Sequence, residues 1–158
     1  MTNIFLKPVY EKIIERPFNS TELDDSIKMQ KIVYLLQIMG IALGDYNFHW
    51  YVSDQGVSSL VLSKDILSID QSDITFVPKY SDDAEDTFRI LRDIISLGIN
   101  KYNETEWLDC LASLHYFKNN MIAFDASDEQ IIEQFMKRKS SLNNKTMVKE
   151  ALEQVHKL

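Results

Sequence analysis

Histidine, cysteine and clustered carboxylates are the residues here that could do chemistry, and their spacing decides which chemistry is open to them. The histidines are His49, His115 and His156. None forms a His-x-x-x-His pair, which would place two ring nitrogens on one helix face for a metal. Asp45 precedes His49 by four residues, but across a turn and strand rather than along a helix. His115 lies beside Trp107, Leu111 and Leu114 on an apolar helix face and reads as a core-edge residue with a backbone partner. Cys110 is the single cysteine, so an intramolecular disulfide is excluded. A nucleophilic thiolate needs cationic neighbours. Cys110 instead has Asp109 beside it and Glu106 one turn away, and reads as a small buried hydrophobe. Asp82, Asp83, Glu85 and Asp86 crowd five positions. Paired-acid catalysis would need two carboxyls in one cleft, whereas acids at a helix start are explained by the backbone dipole.

With four glycines in 158 residues, the chain has little material for phosphate-cradling loops. No Gly-x-Gly-x-x-Gly, Walker-type or Gly-x-Ser-x-Gly motif occurs. We expect no catalytic residues, no metal and no cofactor.

The elements that would position these residues are mostly helical. Apolar residues make up 45% and charged residues 26%, ordinary values for a folded globular chain. Ile4, Phe5, Val9, Ile13 and Ile14 repeat at helical spacing over 3–15. The stretch 22–41 carries apolar residues around more than half its circumference, which predicts a central helix rather than a surface one. "YNFHWYV" reads as a strand, with Phe48, Trp50 and Val52 on one side. "SDQG" is its turn, and a helical spacing resumes from Val57. "QSDITFVPKY" reads as a second strand, limited by Pro78 to an edge. Helical segments then follow around 81–99, 103–122, 125–140 and 143–158, the first opening on an acidic cap region and the next two with Asn103 and Ser127 as caps.

The fold class is therefore mostly α, a helical domain with a small two- or three-stranded β ribbon. Its outline is winged-helix-like, because the two strands flank a helix. We expect one domain over 1–158, with the winged-helix-like core at about 22–80 and a helical part at about 81–158. The N-terminal segment is too polar for a signal peptide, and no run suits a membrane span. A cytoplasmic protein without membrane contact is expected.

"KMQKIVYLLQIMGI" resembles the Lys-Leu-Gln-Lys-Leu-Leu-Tyr-Leu helix of the Panacea-type antitoxin domain and the related YwgA-like uncharacterised bacterial proteins. Phe48, Trp50 and Tyr51 resemble that family's Phe-x-Trp-Tyr strand. "WLDCLASLHYF" and the closing stretch from Asp128 are similar to its later helices. Its Gly-Pro turn stands here as Asp54 and Gln55. The resemblance runs from about residue 22 to the end. It implies a winged-helix-like scaffold without catalytic residues that pairs with other proteins. The implied roles are antitoxin, adaptor or accessory subunit of a bacterial or phage defence-type system.

Charge bears on the partner. The net charge is −7, which gives no general attraction to phosphate backbones. Residues 47–99 hold 4 basic and 9 acidic groups, or −5, so the expected wing and recognition helix lie in the most acidic part. A protein partner is expected, basic or nucleic-acid-acting, with Trp50, Tyr51, Asp54 and Gln55 as its contacts. Self-association is the other pairing left open. The alternative is a winged-helix DNA-binding transcriptional regulator using Lys137, Arg138, Lys139 and Lys145, the one basic cluster. Those residues also suit a helix C-terminus, where cations offset the dipole.

Overall fold

The computed structural model describes residues 3–52, 56–69 and 76–158. Seven helices and one two-stranded antiparallel sheet are found among them. The order is α1 (Leu6–Ile14), α2 (Leu23–Ile38), β1 (His49–Tyr51), β2 (Gly56–Ser58), α3 (Leu60–Leu67), α4 (Asp82–Ile99), α5 (Glu104–Asn120), α6 (Asp128–Arg138) and α7 (Lys145–Val155). The expected helical domain with a small ribbon is what the chain forms.

Burial explains the layout. In α2 every residue from Lys28 to Leu36 is buried, the all-round burial expected of a central helix. Helix α5 is its partner, contacting α2, α4, α6, α7 and β2. Its Trp107, Leu108, Leu111, Leu114 and Phe117 are at most 1% exposed. One apolar cluster draws on all seven helices. Helices α4 and α5 meet at Gly98, where an added Cβ would lie 2.3 Å from the Trp107 indole. The indole N–H donates to the Ile94 carbonyl at 3.1 Å, fixing the ring against that backbone.

Helix starts follow local chemistry. Ser59, Ser81, Asn103, Ser127 and Asn144 each accept a backbone N–H with their side chains, satisfying donors that a helix start leaves open. At Ser127, Gln130 answers with a reciprocal bond to complete a capping box. The acids at 82, 83 and 85 sit in the first turn of α4.

The ribbon differs from the expected one. Its strands are consecutive, with His49 opposite Ser58, Trp50 opposite Val57 and Tyr51 opposite Gly56. Residues 56–58, expected as turn and helix start, form β2. Ser59 caps α3 from an extended conformation, and this delays the helix to Leu60. Of the expected second strand at 71–80, residues 76–80 are irregular and 71–75 lie outside the described residues. Among the described residues the ribbon therefore precedes α3. Val52 lies past the strand end and is 85% exposed, so it does not share the inward side with Phe48 and Trp50. Ile4 and Phe5 precede α1 and are exposed. No helix among the described residues is long and apolar enough to cross a membrane.

Candidate docking site

A charged cluster underlies the ribbon. Lys31 on α2 donates through Nζ to the Val57 carbonyl at 2.5 Å and lies 3.2 Å from Asp109 Oδ1 on α5. Lys139, at the end of α6, reaches Asp109 Oδ2 at 2.8 Å. Ser113, one turn beyond Asp109, donates to Oδ1 at 2.9 Å and accepts the Val57 N–H at 3.4 Å. The side chains of Lys31 and Lys139 are 6% and 3% exposed, and that of Asp109 16%. Burying an ammonium is costly unless a carboxylate and further acceptors compensate it, and here one carboxylate serves both. Gly56 is the contact point: a Cβ there would stand 2.7 Å from Ser113 Oγ and 3.1 Å from Lys139 Nζ.

This arrangement closes the outer edge of β2. Val57 turns its N–H and its carbonyl away from β1, and Ser113 and Lys31 take them as a third strand would. Gln30 does the same two residues along, at Ser59 just past the end of β2. Its amide accepts the Ser59 N–H at 3.0 Å and donates to the Ser59 carbonyl at 2.9 Å. It also donates to Ser63 Oγ at 2.8 Å.

Above this polar floor lies an open groove of about 580 Å³ between α2 and α3. Leu23 and Ile27 form one wall and Ile66 and Leu67 the other, with Gln30, Lys31 and Asp109 below. Leu23 is 73% exposed and Leu67 78%. Leu60, seven residues before Leu67 and so on the same helix face, is also exposed.

The residues singled out in the sequence are dispersed. Trp50 is half-buried, with its ring centroid 6.2 Å from that of Phe117 and 6.3 Å from that of Phe135, so it packs onto α5 and α6. Tyr51 is half-buried beside His49. Asp54 and Gln55 lie outside the described residues. Lys137, Arg138 and Lys145 are exposed, and Lys137 pairs with Glu133 at 3.3 Å. Lys139 is buried in the charged cluster. This corrects its place among the basic residues open to a phosphate.

The titratable candidates are occupied structurally. Cys110 is fully buried, and burial, then Asp109, pushes its thiol pKa up against the pull of Lys139. His115 Nδ1 and the Tyr34 hydroxyl share a hydrogen bond at 2.8 Å, a side-chain partner rather than the expected backbone one. Burial and then Lys118 hold its pKa down to about 4, so the ring is neutral near pH 7. His156 stands 3.0 Å from Asp128 at the surface. Among the described residues, no group of three His, Cys, Asp or Glu side chains converges as a metal site requires.

The groove was not found from the sequence, although a signal was present. Helix α3 has five apolar residues in eight, and only Leu62 and Ile66 are buried. A short helix that can bury one stripe leaves the remainder in water. Comparison with protein-family models, with curated proteins and with solved structures finds no significant match to this chain.

Proposed function

We propose that this chain is a non-enzymatic protein-interaction module that docks a protein partner on the groove between α2 and α3. One observation carries the reading. Leu23 and Leu67 stand in water on opposite walls of a concave surface whose floor groups Gln30, Lys31 and Asp109 already have partners. Exposed apolar residues gathered at one concave site mark interaction surfaces more often than residues scattered singly. Docking there would act by masking or by assembly, the mode of an antitoxin, an adaptor or an accessory subunit.

A DNA-binding regulator draws less support. Lys64 is the only basic residue of α3, and Lys137, Lys145 and Lys149 share their hollow with Glu129 and Glu133. The test is co-purification of the tagged chain from its native host. The double variant Leu23→Ser, Leu67→Ser is compared with Phe124→Ser, which alters a fully exposed residue on the α5–α6 connection. A partner held by the native chain and by the Phe124 variant, but lost from the groove variant, supports the assignment. A partner retained by all three removes it.

A further inference from the structure

The occupant of the groove can be specified by what the groove refuses. We propose that the partner inserts an amphipathic helix with basic flanks; this rests on the docking assignment above.

The backbone of the occupant must arrive with its hydrogen bonds already made. An extended segment gains affinity by adding a strand to an open sheet edge. At β2 that edge is closed, because Ser113 takes the Val57 N–H and Lys31 takes its carbonyl. Gln30 likewise holds both polar groups of the Ser59 backbone. A helix satisfies its backbone internally and offers only side chains. The groove walls suit side chains, since Leu23 and Leu67 expose apolar surface on opposite sides, with the half-buried Ile27 and the buried Ile66 behind them. The eight residues of α3 give a wall roughly 12 Å long, enough for an apolar stripe at i, i+3, i+4 and i+7.

Charge sets the flanks. Glu22 and Asp24 are exposed at the start of α2. Two basic residues of the same helix are turned inward and matched, Lys28 to Glu104 at 2.8 Å and Lys31 to Asp109. The partial positive charge of a helix start, about half a unit, offsets only part of the two carboxylates. Lys64 is the opposing cation on α3, and the whole chain carries −7. An approaching cationic helix is therefore attracted and an anionic one repelled.

The experiment uses labelled, end-capped helical peptides about four turns long, read by fluorescence anisotropy against the full chain. One has leucine at i, i+3, i+4 and i+7 with lysine elsewhere. The second replaces lysine with glutamate, and the third scrambles the leucine–lysine order. The leucine–lysine peptide should bind at least about tenfold more tightly than either comparator. The Leu23→Ser, Leu67→Ser variant should weaken it about tenfold. Glu22→Gln with Asp24→Asn should weaken it roughly fivefold, and added salt should do the same. All these positions are exposed, so an unchanged far-ultraviolet circular dichroism spectrum is expected and confirms folding. Equal binding of the glutamate peptide at the groove overturns the basic occupant and leaves the docking assignment standing. Equal binding of the scrambled peptide overturns the helix. Binding by none of the peptides, or binding indifferent to the leucine changes, overturns the helix and the docking face together.

Discussion

Replacing Asp109 by asparagine tests whether one carboxylate holds the ribbon to the helices. The change is nearly isosteric, so packing of the neighbouring Cys110 and Leu111 is kept and the charge alone is lost. The Asp109 carboxylate receives Lys31 at 3.2 Å, Lys139 at 2.8 Å and the Ser113 hydroxyl at 2.9 Å. Both ammonium groups belong to side chains no more than 6% exposed. Breaking a buried ion pair by removing one partner costs about 3–5 kcal/mol, because the remaining charge stays out of water. For a chain of this size, each kcal/mol lowers Tm by about 2–4 °C, so the expected fall is roughly 6–20 °C. Calorimetry and urea unfolding should agree on it, with an unchanged m-value if the native state keeps its compactness. A second variant separates charge from shape. Adding Lys139→Met to Asp109→Asn removes one of the two buried ammonium groups and should recover about 1–3 kcal/mol relative to the single change. A loss below about 1 kcal/mol for Asp109→Asn, within the range of an exposed pair, would refute the reasoning. So would a double variant no more stable than the single one.

Other perturbations follow from the same packing. Gly98→Ala should destabilise by about 3 kcal/mol or more, because the new methyl meets the rigid indole of Trp107 at 2.3 Å; chemical denaturation reads it. Gly56→Ala should cost about 1–3 kcal/mol, less than Gly98→Ala, since the Ser113 and Lys139 side chains it meets can move. His115 is held neutral in the fold, with a pKa near 4 against its ordinary 6.5. The unfolded chain therefore binds more protons between these values. Stability should be fully present above about pH 6.5 and fall as pH drops toward 4, and His115→Gln should flatten that slope in pH-dependent unfolding. Lys137→Gln, which breaks a pair exposed on both sides, should leave Tm unchanged within error.

Local patterns carried much of the architecture. The all-round apolar circumference of α2 and the caps at Asn103 and Ser127 are properties of neighbouring residues. Their outcome in the structure follows directly. The ribbon was half legible: Trp50 and Tyr51 are in a strand, but its partner is 56–58, where Gly56 and Ser59 decide the pairing by contacts outside their own segment. The charged cluster was not read because its members are far apart in sequence. Lys28 meets Glu104 across 76 residues, and Lys31 and Asp109 lie similarly far apart. A lysine on a helix is ordinarily solvated, and only the position of α5 turns these two inward. Lys139 did carry a local sign. It follows Ile132 by seven residues and Phe135 by four, and so continues the inward stripe of α6 beyond that helix's end at Arg138.

The floor and the rim of the groove should respond differently to change, and this difference separates fold from docking. Lys31 both closes the edge of β2 and lines the groove, so its loss or the loss of Asp109 disturbs the ribbon and the floor together. Stability and partner affinity should then fall in step. Leu23 and Leu67 contribute almost nothing to the core, being 73% and 78% exposed. Serine there should leave the unfolding free energy within about 0.5 kcal/mol of the native value while abolishing capture of the partner. Surface leucines retained only by chance would show neither effect. Leucines that matter to the fold would show the first. Loss of binding at unchanged stability is the combination that a docking rim alone produces.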